Sequence, residues 1–140
     1  MELEIRRDCS GIDWSAVSET LKCVGMAHHE PELHRQAFEA SATVVFVYHD
    51  DQLVGFGRAI SDGAYQAGVY DCAVLPEFQA RGIGRRIMDA ILADIPHCNA
   101  ILYASPGKEG FYETFGFRKM QTGMARFCDS EQMKQRGFTE

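Results

Sequence analysis

The stretch Val74-Leu75-Pro76-Glu77-Phe78-Gln79-Ala80-Arg81-Gly82-Ile83-Gly84-Arg85 decides how this chain is read. An apolar run stops at Pro76, which has no backbone N–H to give to a strand ladder. A short loop follows, and two glycines open a segment in which Ile83, Ile87, Ala90, Ile91 and Ile95 recur every three or four residues. That spacing is a helix with one apolar stripe. The order is therefore strand, turn, helix. Gly82 and Gly84 have no Cβ, so a ligand can approach the backbone closely. The first N–H groups of the helix lack internal acceptors, and with the helix dipole they suit a pyrophosphate. Arg81, Arg85 and Arg86 add positive charge. A P-loop needs G-x-x-x-x-G-K-[ST], which is absent, and a dinucleotide fingerprint needs a third glycine where Ile87 stands. Taken alone, the G-x-G turn also fits a plain strand-to-helix connection.

Working outward, Val69 to Leu75 is a strand ahead of the turn, and Ala100 to Ala104 is a short apolar strand after the helix, which Pro96 ends. A strand–helix–strand unit of this kind implies a parallel pair. Upstream, Thr43 to Tyr48 is β-branched and aromatic, Asp50-Asp51-Gln52 makes a tight turn, and Leu53 to Ile60 returns. Leu3 and Ile5 alternate with charges in a first strand. Asp13 caps a helix from about Trp14, with Val17, Leu21 and Val24 on one face. His28 and His29 lie in a break, and Pro31 starts a second helix with Leu33, Ala37 and Phe38 facing inward. A last helix is expected over about Gly107 to Phe115, closed by Gly116. Two more strands are expected near Phe117 to Gln121 and Met124 to Cys128, before a polar tail from Asp129 that frays. The fold class is α/β: a single domain over 1–140, with a mixed, mostly antiparallel twisted sheet of about six or seven strands and four helices on both faces.

Bulk properties narrow the function. The chain has 140 residues, 46% of them hydrophobic, enough for a core of its own. The formal net charge is -6, which argues against nucleic acid as a partner and suits a cationic amine. The cysteines Cys9, Cys23, Cys72, Cys98 and Cys128 are odd in number, widely spaced and form no C-x-x-C. They read as reduced residues of a cytoplasmic protein, with neither a zinc site nor a disulfide framework. The charged start MELEIRRDCS has no apolar signal region, and no apolar run is long enough to span a membrane. A homodimer is the oligomeric expectation, because two-fold dimers are the commonest assemblies.

Gln79-Ala80-Arg81-Gly82-Ile83-Gly84 resembles the Q/R-x-x-G-x-G/A signature of the GNAT superfamily of N-acetyltransferases. Val74-Leu75-Pro76 is similar to that family's hydrophobic-x-Pro strand end. Gly110-Phe111-Tyr112-Glu113-Thr114-Phe115-Gly116-Phe117 resembles its F-Y-x-x-x-G-F segment. The two motifs are separated by one helix and one strand, as in the family, and their coincidence is more specific than either alone. The resemblance implies acetyl-CoA as acetyl donor, with no metal. Its pantetheine arm would bond to the backbone of Cys72, Ala73 and Val74 between two splayed strands, adding like an extra strand. Its pyrophosphate would sit on Gln79, Ala80, Arg81, Gly82, Ile83, Gly84 and Arg85. Ala59 to Gly63, Val69 to Val74 and Phe78-Gln79 also resemble the plastid-type arylalkylamine (serotonin) N-acetyltransferases and their bacterial relatives. Phe78 departs from them, standing where they tend to have tyrosine.

Acetyl transfer needs an uncharged amine, an oxyanion site and an acid for the departing thiolate. By resemblance Tyr112 is the acid; read from its residues alone, it is an aromatic packed under the last helix. Asp71 is the candidate base, a carboxylate inside an otherwise apolar strand. Alternation puts it on the face opposite Tyr70 and Cys72. The alternative is a carboxylate facing solvent or paired with an arginine such as Arg58. A backbone N–H near Val74 would hold the oxyanion. His28, His29 and His34 lack the acidic partners of a metal cluster, and by resemblance they shape an acceptor pocket with Trp14 and Phe38. The implied activity is transfer to a primary amine of a small molecule. A protein N-terminus or lysine as acceptor, or a non-catalytic acetyl-CoA-binding sensor, are the competing readings.

Overall fold

The sheet is built from its turns. In this computed structural model, which describes residues 1–140, the β-branched and aromatic run Thr43–His49 forms β2. Strand β1 precedes it at Glu4–Arg6. Asp50 and Asp51 take φ of 48° and 62°. Two consecutive left-handed residues make the reversal whose twist matches that of the strands it joins. The chain returns as β3, Gln52–Ser61. Asp62 then accepts the backbone N–H groups of Ala64, Tyr65 and Gln66 at 2.8, 2.9 and 3.1 Å. This side-chain-closed turn delivers the chain into β4, Gln66–Val74. The fifth strand, β5, is Asn99–Ile101. The strand order is β1-β2-β3-β4-β5. All pairs are antiparallel except β4 with β5, which run parallel from Gln66 opposite Asn99 to Gly68 opposite Ile101.

Three helices belong with this sheet: α1 (Trp14–Cys23), α2 (Pro31–Glu39) and α3 (Ile83–Asp94). One sheet face carries Phe46 and Phe56, which join Val17 and Leu21 of α1 and Phe38 of α2 in a buried core. Each such side chain contributes about 1.5–3 kcal/mol by leaving water. The other face meets α3. A Cβ on Gly57 would lie 2.8 Å from the Cys72 sulfur and 2.9 Å from Ile87, and one on Gly55 would lie 3.1 Å from Ile87. Glycine at these two sites is what lets α3 lie so close to the strands.

The N-terminal segment is tied to the end of α3. Arg7 donates through Nε to the Val44 carbonyl at 3.2 Å and through Nη2 to Thr43 Oγ1 at 3.1 Å, and it pairs with Asp94. Thr43 Oγ1 donates to Asp94 Oδ2 at 2.6 Å.

Residues Met1–Leu102 form one compact unit and Tyr103–Glu140 a second. Within the second, α4 spans Glu109–Glu113 and α5 spans Ser130–Gln135. Gly116, at φ 88°, lets the chain turn after α4, and the Phe117 N–H donates to the Tyr112 carbonyl at 3.3 Å. Tyr103, Phe127 and Phe138 meet edge to face, with ring centroids 5.4 Å apart for Tyr103 and Phe127 and 5.8 Å for Tyr103 and Phe138.

The α/β class and the mixed, mostly antiparallel sheet agree with the sequence. The element count does not: there are five strands, not six or seven, and five helices, not four. Neither Phe117–Gln121 nor Met124–Cys128 is a strand. Their apolar side chains bury no common face, since Met120 is 61% and Met124 98% exposed. Strand preference is realised only by packing against neighbours. The expected fraying from Asp129 is also replaced by structure, because the Asp129 carboxylate caps α5 by accepting the Gln132 N–H at 3.0 Å. On α2 the inward pair is His34 and Phe38, while Leu33 is exposed.

Candidate active site

The turn after β4 is closed by its own side chain. Gln79 Nε2 donates to the Val74 carbonyl at 2.9 Å. Leu75 N–H reaches the Val54 carbonyl at 2.8 Å, and Phe78 N–H returns to the Leu75 carbonyl at 2.9 Å. Ala80 and Gly82 then take φ of 61° and 82°, the left-handed region. Gly82 is the N-cap of α3 and supplies no side-chain hydrogen bond to the first turn, and open space surrounds the place of its missing Cβ. Arg81, Arg85 and Arg86 are exposed around this helix start. The result is a helix N-terminus with its dipole and basic side chains presented outward, a fit for a phosphate-bearing group.

Beside the turn, the β4–β5 ladder stops at Gly68 while β4 runs on to Val74. Cys72, Ala73 and Val74 therefore lie beyond the last parallel pair, because β5 ends at Ile101. The Cys72 side chain is not offered to solvent chemistry. It faces α3, with its sulfur 3.9 Å from the Met88 sulfur, and burial pushes its thiol up to about 12. Only its backbone suits a ligand.

Asp71 stands at an irregularity the strand pattern conceals. Phe56 pairs with Ala73 and Arg58 with Tyr70, so Asp71 and Cys72 together oppose Gly57. This is a β-bulge, which re-aims a side chain, and Asp71 takes φ of 56° to make it. Simple alternation, which put Asp71 opposite Tyr70, therefore fails. Arg58 donates through Nε to Asp71 Oδ2 at 2.8 Å and lies 5.5 Å from the Tyr70 ring centroid. The pairing with Arg58 is realised, and the carboxylate stays 22% exposed.

The break between α1 and α2 is also pinned. His34 Nε2 accepts the His29 N–H at 2.8 Å, and Ser18 Oγ donates to the His29 carbonyl at 2.7 Å. His34 is buried, which lowers its pKa, while the nearby Asp71 charge acts the other way. An imidazole that accepts through Nε2 carries its proton on Nδ1. His28 and His29 are exposed, and no group of acidic, cysteine or histidine side chains is arranged to hold a metal.

Tyr112 belongs to the second unit. Its ring lies 5.1 Å from that of Phe111 and 6.2 Å from that of Phe117, and it is half-buried on α4. The first unit thus gathers Asp71, Cys72 to Val74 and Gln79 to Arg85 along one strand end and one turn. Reading the sequence missed Ser41 and the buried role of His34. It met Arg58 only as an alternative partner, although a lone arginine in the apolar run Leu53 to Ile60 was the available signal.

Residues 13–128 match the acetyltransferase (GNAT) domain model. The chain is 35% identical over 120 residues to serotonin N-acetyltransferase 2, chloroplastic, of Oryza sativa subsp. japonica, covering 81% of this chain and 60% of that protein. It is 28% identical over 118 residues to GCN5-related N-acetyltransferase 1, chloroplastic, of Arabidopsis thaliana, again covering 81% and 60%. The chain thus spans about 60% of the length of these curated relatives. Among solved structures it resembles a GNAT family acetyltransferase from Streptococcus pneumoniae, with a TM-score of 0.77, 25% identity and coverage of 91% and 99%. A probable acetyltransferase from Staphylococcus aureus shares the fold with a TM-score of 0.79 at 23% identity, covering 90% and 99%. The motif at Gln79 to Gly84 and these likenesses agree, and the chain belongs to the GNAT family of acetyltransferases.

Proposed function

We propose that this protein is an acetyl-CoA-dependent N-acetyltransferase that acetylates a primary amine of a small molecule by direct attack in a ternary complex. One observation carries the reading: the left-handed Gly82 turn and the outward N-terminus of α3 lie next to a β4 end that runs on beyond its pairing with β5. Phosphates suit the first feature and an amide-bearing arm suits the second. Acetyl-CoA supplies the activated thioester. The backbone of Cys72 to Val74 orients the arm, and Gln79 to Arg85 take the pyrophosphate. A backbone N–H near Val74 holds the oxyanion.

Asp71 acts as base. The N–H bond of the acceptor ammonium breaks, the proton passes to the carboxylate, and the nitrogen lone pair attacks the thioester carbonyl. The C–N bond forms, the C–S bond breaks, the attacking nitrogen loses its second proton to solvent, and Tyr112 gives its phenolic proton to the departing thiolate and regains one from solvent. General acid and base steps of this kind are each worth about 10²–10⁴ in rate. The small-amine acceptor rests on Asp71 and on the serotonin N-acetyltransferase likeness.

The test is thiol release from acetyl-CoA against arylalkylamines, polyamines, amino acids, aminoglycosides and short peptides, with Tyr112→Phe and Asp71→Asn beside the wild type. Turnover with one small-amine class, lost in both variants while acetyl-CoA still binds, supports the reading. Turnover with peptides alone would move the acceptor to a protein N-terminus or lysine. Tight acetyl-CoA binding without turnover would leave a sensor, and no binding would sink the proposal.

A further inference from the structure

We infer that Arg58 is a positioning residue for acetyl transfer, holding the Asp71 carboxylate so that one oxygen is aimed at the acceptor amine. The inference rests on the role proposed above for Asp71. It begins at the bulge. A residue in the left-handed region has left the regular pleat, so the ladder no longer fixes where the Asp71 side chain points. Arg58 supplies what the ladder does not. Its Nε donates to Oδ2 at 2.8 Å, and Oδ1 accepts no hydrogen bond from the protein.

That asymmetry matters. Arginine–carboxylate pairs are frequently bidentate, both oxygens meeting the planar fork. Here the fork is divided. Nη1 turns to Ser41 Oγ at 3.3 Å, and the Ser41 hydroxyl donates onward to the Ala37 carbonyl of α2 at 2.8 Å. The guanidinium is flanked by the Phe38 ring at 5.6 Å and the Tyr70 ring at 5.5 Å, and the side chain is 16% exposed. Arg58 is thus fixed from α2, from β4 and by two aromatic faces, and it spends one N–H on Asp71. The remaining carboxylate oxygen is left to accept from an ammonium group. A line of contacts runs from α2 through Ser41 and Arg58 to Asp71.

The experiment uses Arg58→Ala and Arg58→Lys, each in the wild type and in Asp71→Asn, with kcat, amine KM and acetyl-CoA affinity measured. Arg58→Ala is expected to lower kcat about 100-fold, the scale of an ångström-level misplacement, with acetyl-CoA affinity within about twofold. Arg58→Lys recovers part of the loss, and millimolar guanidinium restores Arg58→Ala. In Asp71→Asn neither change lowers kcat further, because the group they aim is already gone. Equal losses in both backgrounds would show structural support only and overturn the inference. Full activity in Arg58→Ala or in Asp71→Asn would also overturn it. Should Arg58→Ala not fold, the Arg58→Lys pair separates the same outcomes. Failure of the underlying reading shows separately, as an unsubstituted enzyme that binds acetyl-CoA and acetylates no amine.

Discussion

Two helices of this protein start in opposite ways. At α1, Asp13 turns its own carboxylate onto the helix and accepts the N–H groups of Ser15 and Ala16 at 3.0 and 3.3 Å. At α3, Gly82 sits in the left-handed region and offers no side chain at all. Both ends have the same unsatisfied donors and the same dipole. One is neutralised from within the chain, and the other has no side-chain cap and is surrounded by exposed arginines. On the function proposed above, the pyrophosphate of acetyl-CoA would complete the start of α3.

The contrast breaks most sharply at Gly82. Gly82→Asp sets a carboxylate a few ångströms from the proposed pyrophosphate seat. At intermediate dielectric that repulsion costs about 2.7 kcal/mol, or about 100-fold in acetyl-CoA affinity by titration calorimetry. Unchanged affinity would mean that α3 does not hold the phosphates. Asp13→Ala is the converse. It removes a self-cap and is expected to cost about 1 kcal/mol of stability in urea unfolding, while acetyl-CoA affinity stays the same.

A smaller effect belongs to His34, whose imidazole also satisfies the chain from within. Its pKa is lowered by burial, so the unfolded chain takes up this proton at higher pH than the folded one. Its contribution is therefore present above the unfolded value of about 6.5 and is lost as pH falls through the lowered folded value. Stability followed from pH 8 to pH 5 should fall less steeply in His34→Gln. Smallest is Arg81→Gln, expected to weaken acetyl-CoA binding about twofold at low salt and not at all near 1 M salt, where screening extends only about 3 Å.

Legibility followed the same divide between regular and irregular backbone. The strand ending at Pro76, the glycine-opened helix and the aspartate turns could be read because each residue there has one dominant backbone consequence. The α1 cap at Asp13 was legible for the same reason. The Asp71 bulge was not, because alternation assumes an unbroken ladder and nothing in Tyr70-Asp71-Cys72 announces an extra residue. Gly57 opposite it was the one hint, since glycine in a strand often marks a bulge. On α2 the helix itself was clear, but its rotation was set by tertiary partners: His34 turns inward to take the His29 N–H and leaves Leu33 outside. The segment from Phe117 to Cys128 carries strand-forming residues without the neighbours that would make them strands. For the candidate site, the glycine-opened turn after β4 was legible as local structure, Asp71 as a residue type in an unusual place, and the hydrogen bonds of Arg58 to Asp71 and Ser41 only once the register was known.

The tie between Arg7 and Asp94 spans 87 residues of sequence. During synthesis at about 5–20 residues per second, roughly 4–17 s pass between the emergence of its two ends. Strands β1 to β3 can pair during that interval, so Arg7 can reach Thr43 and Val44 first and gains its carboxylate partner only once the last turn of α3 has been made.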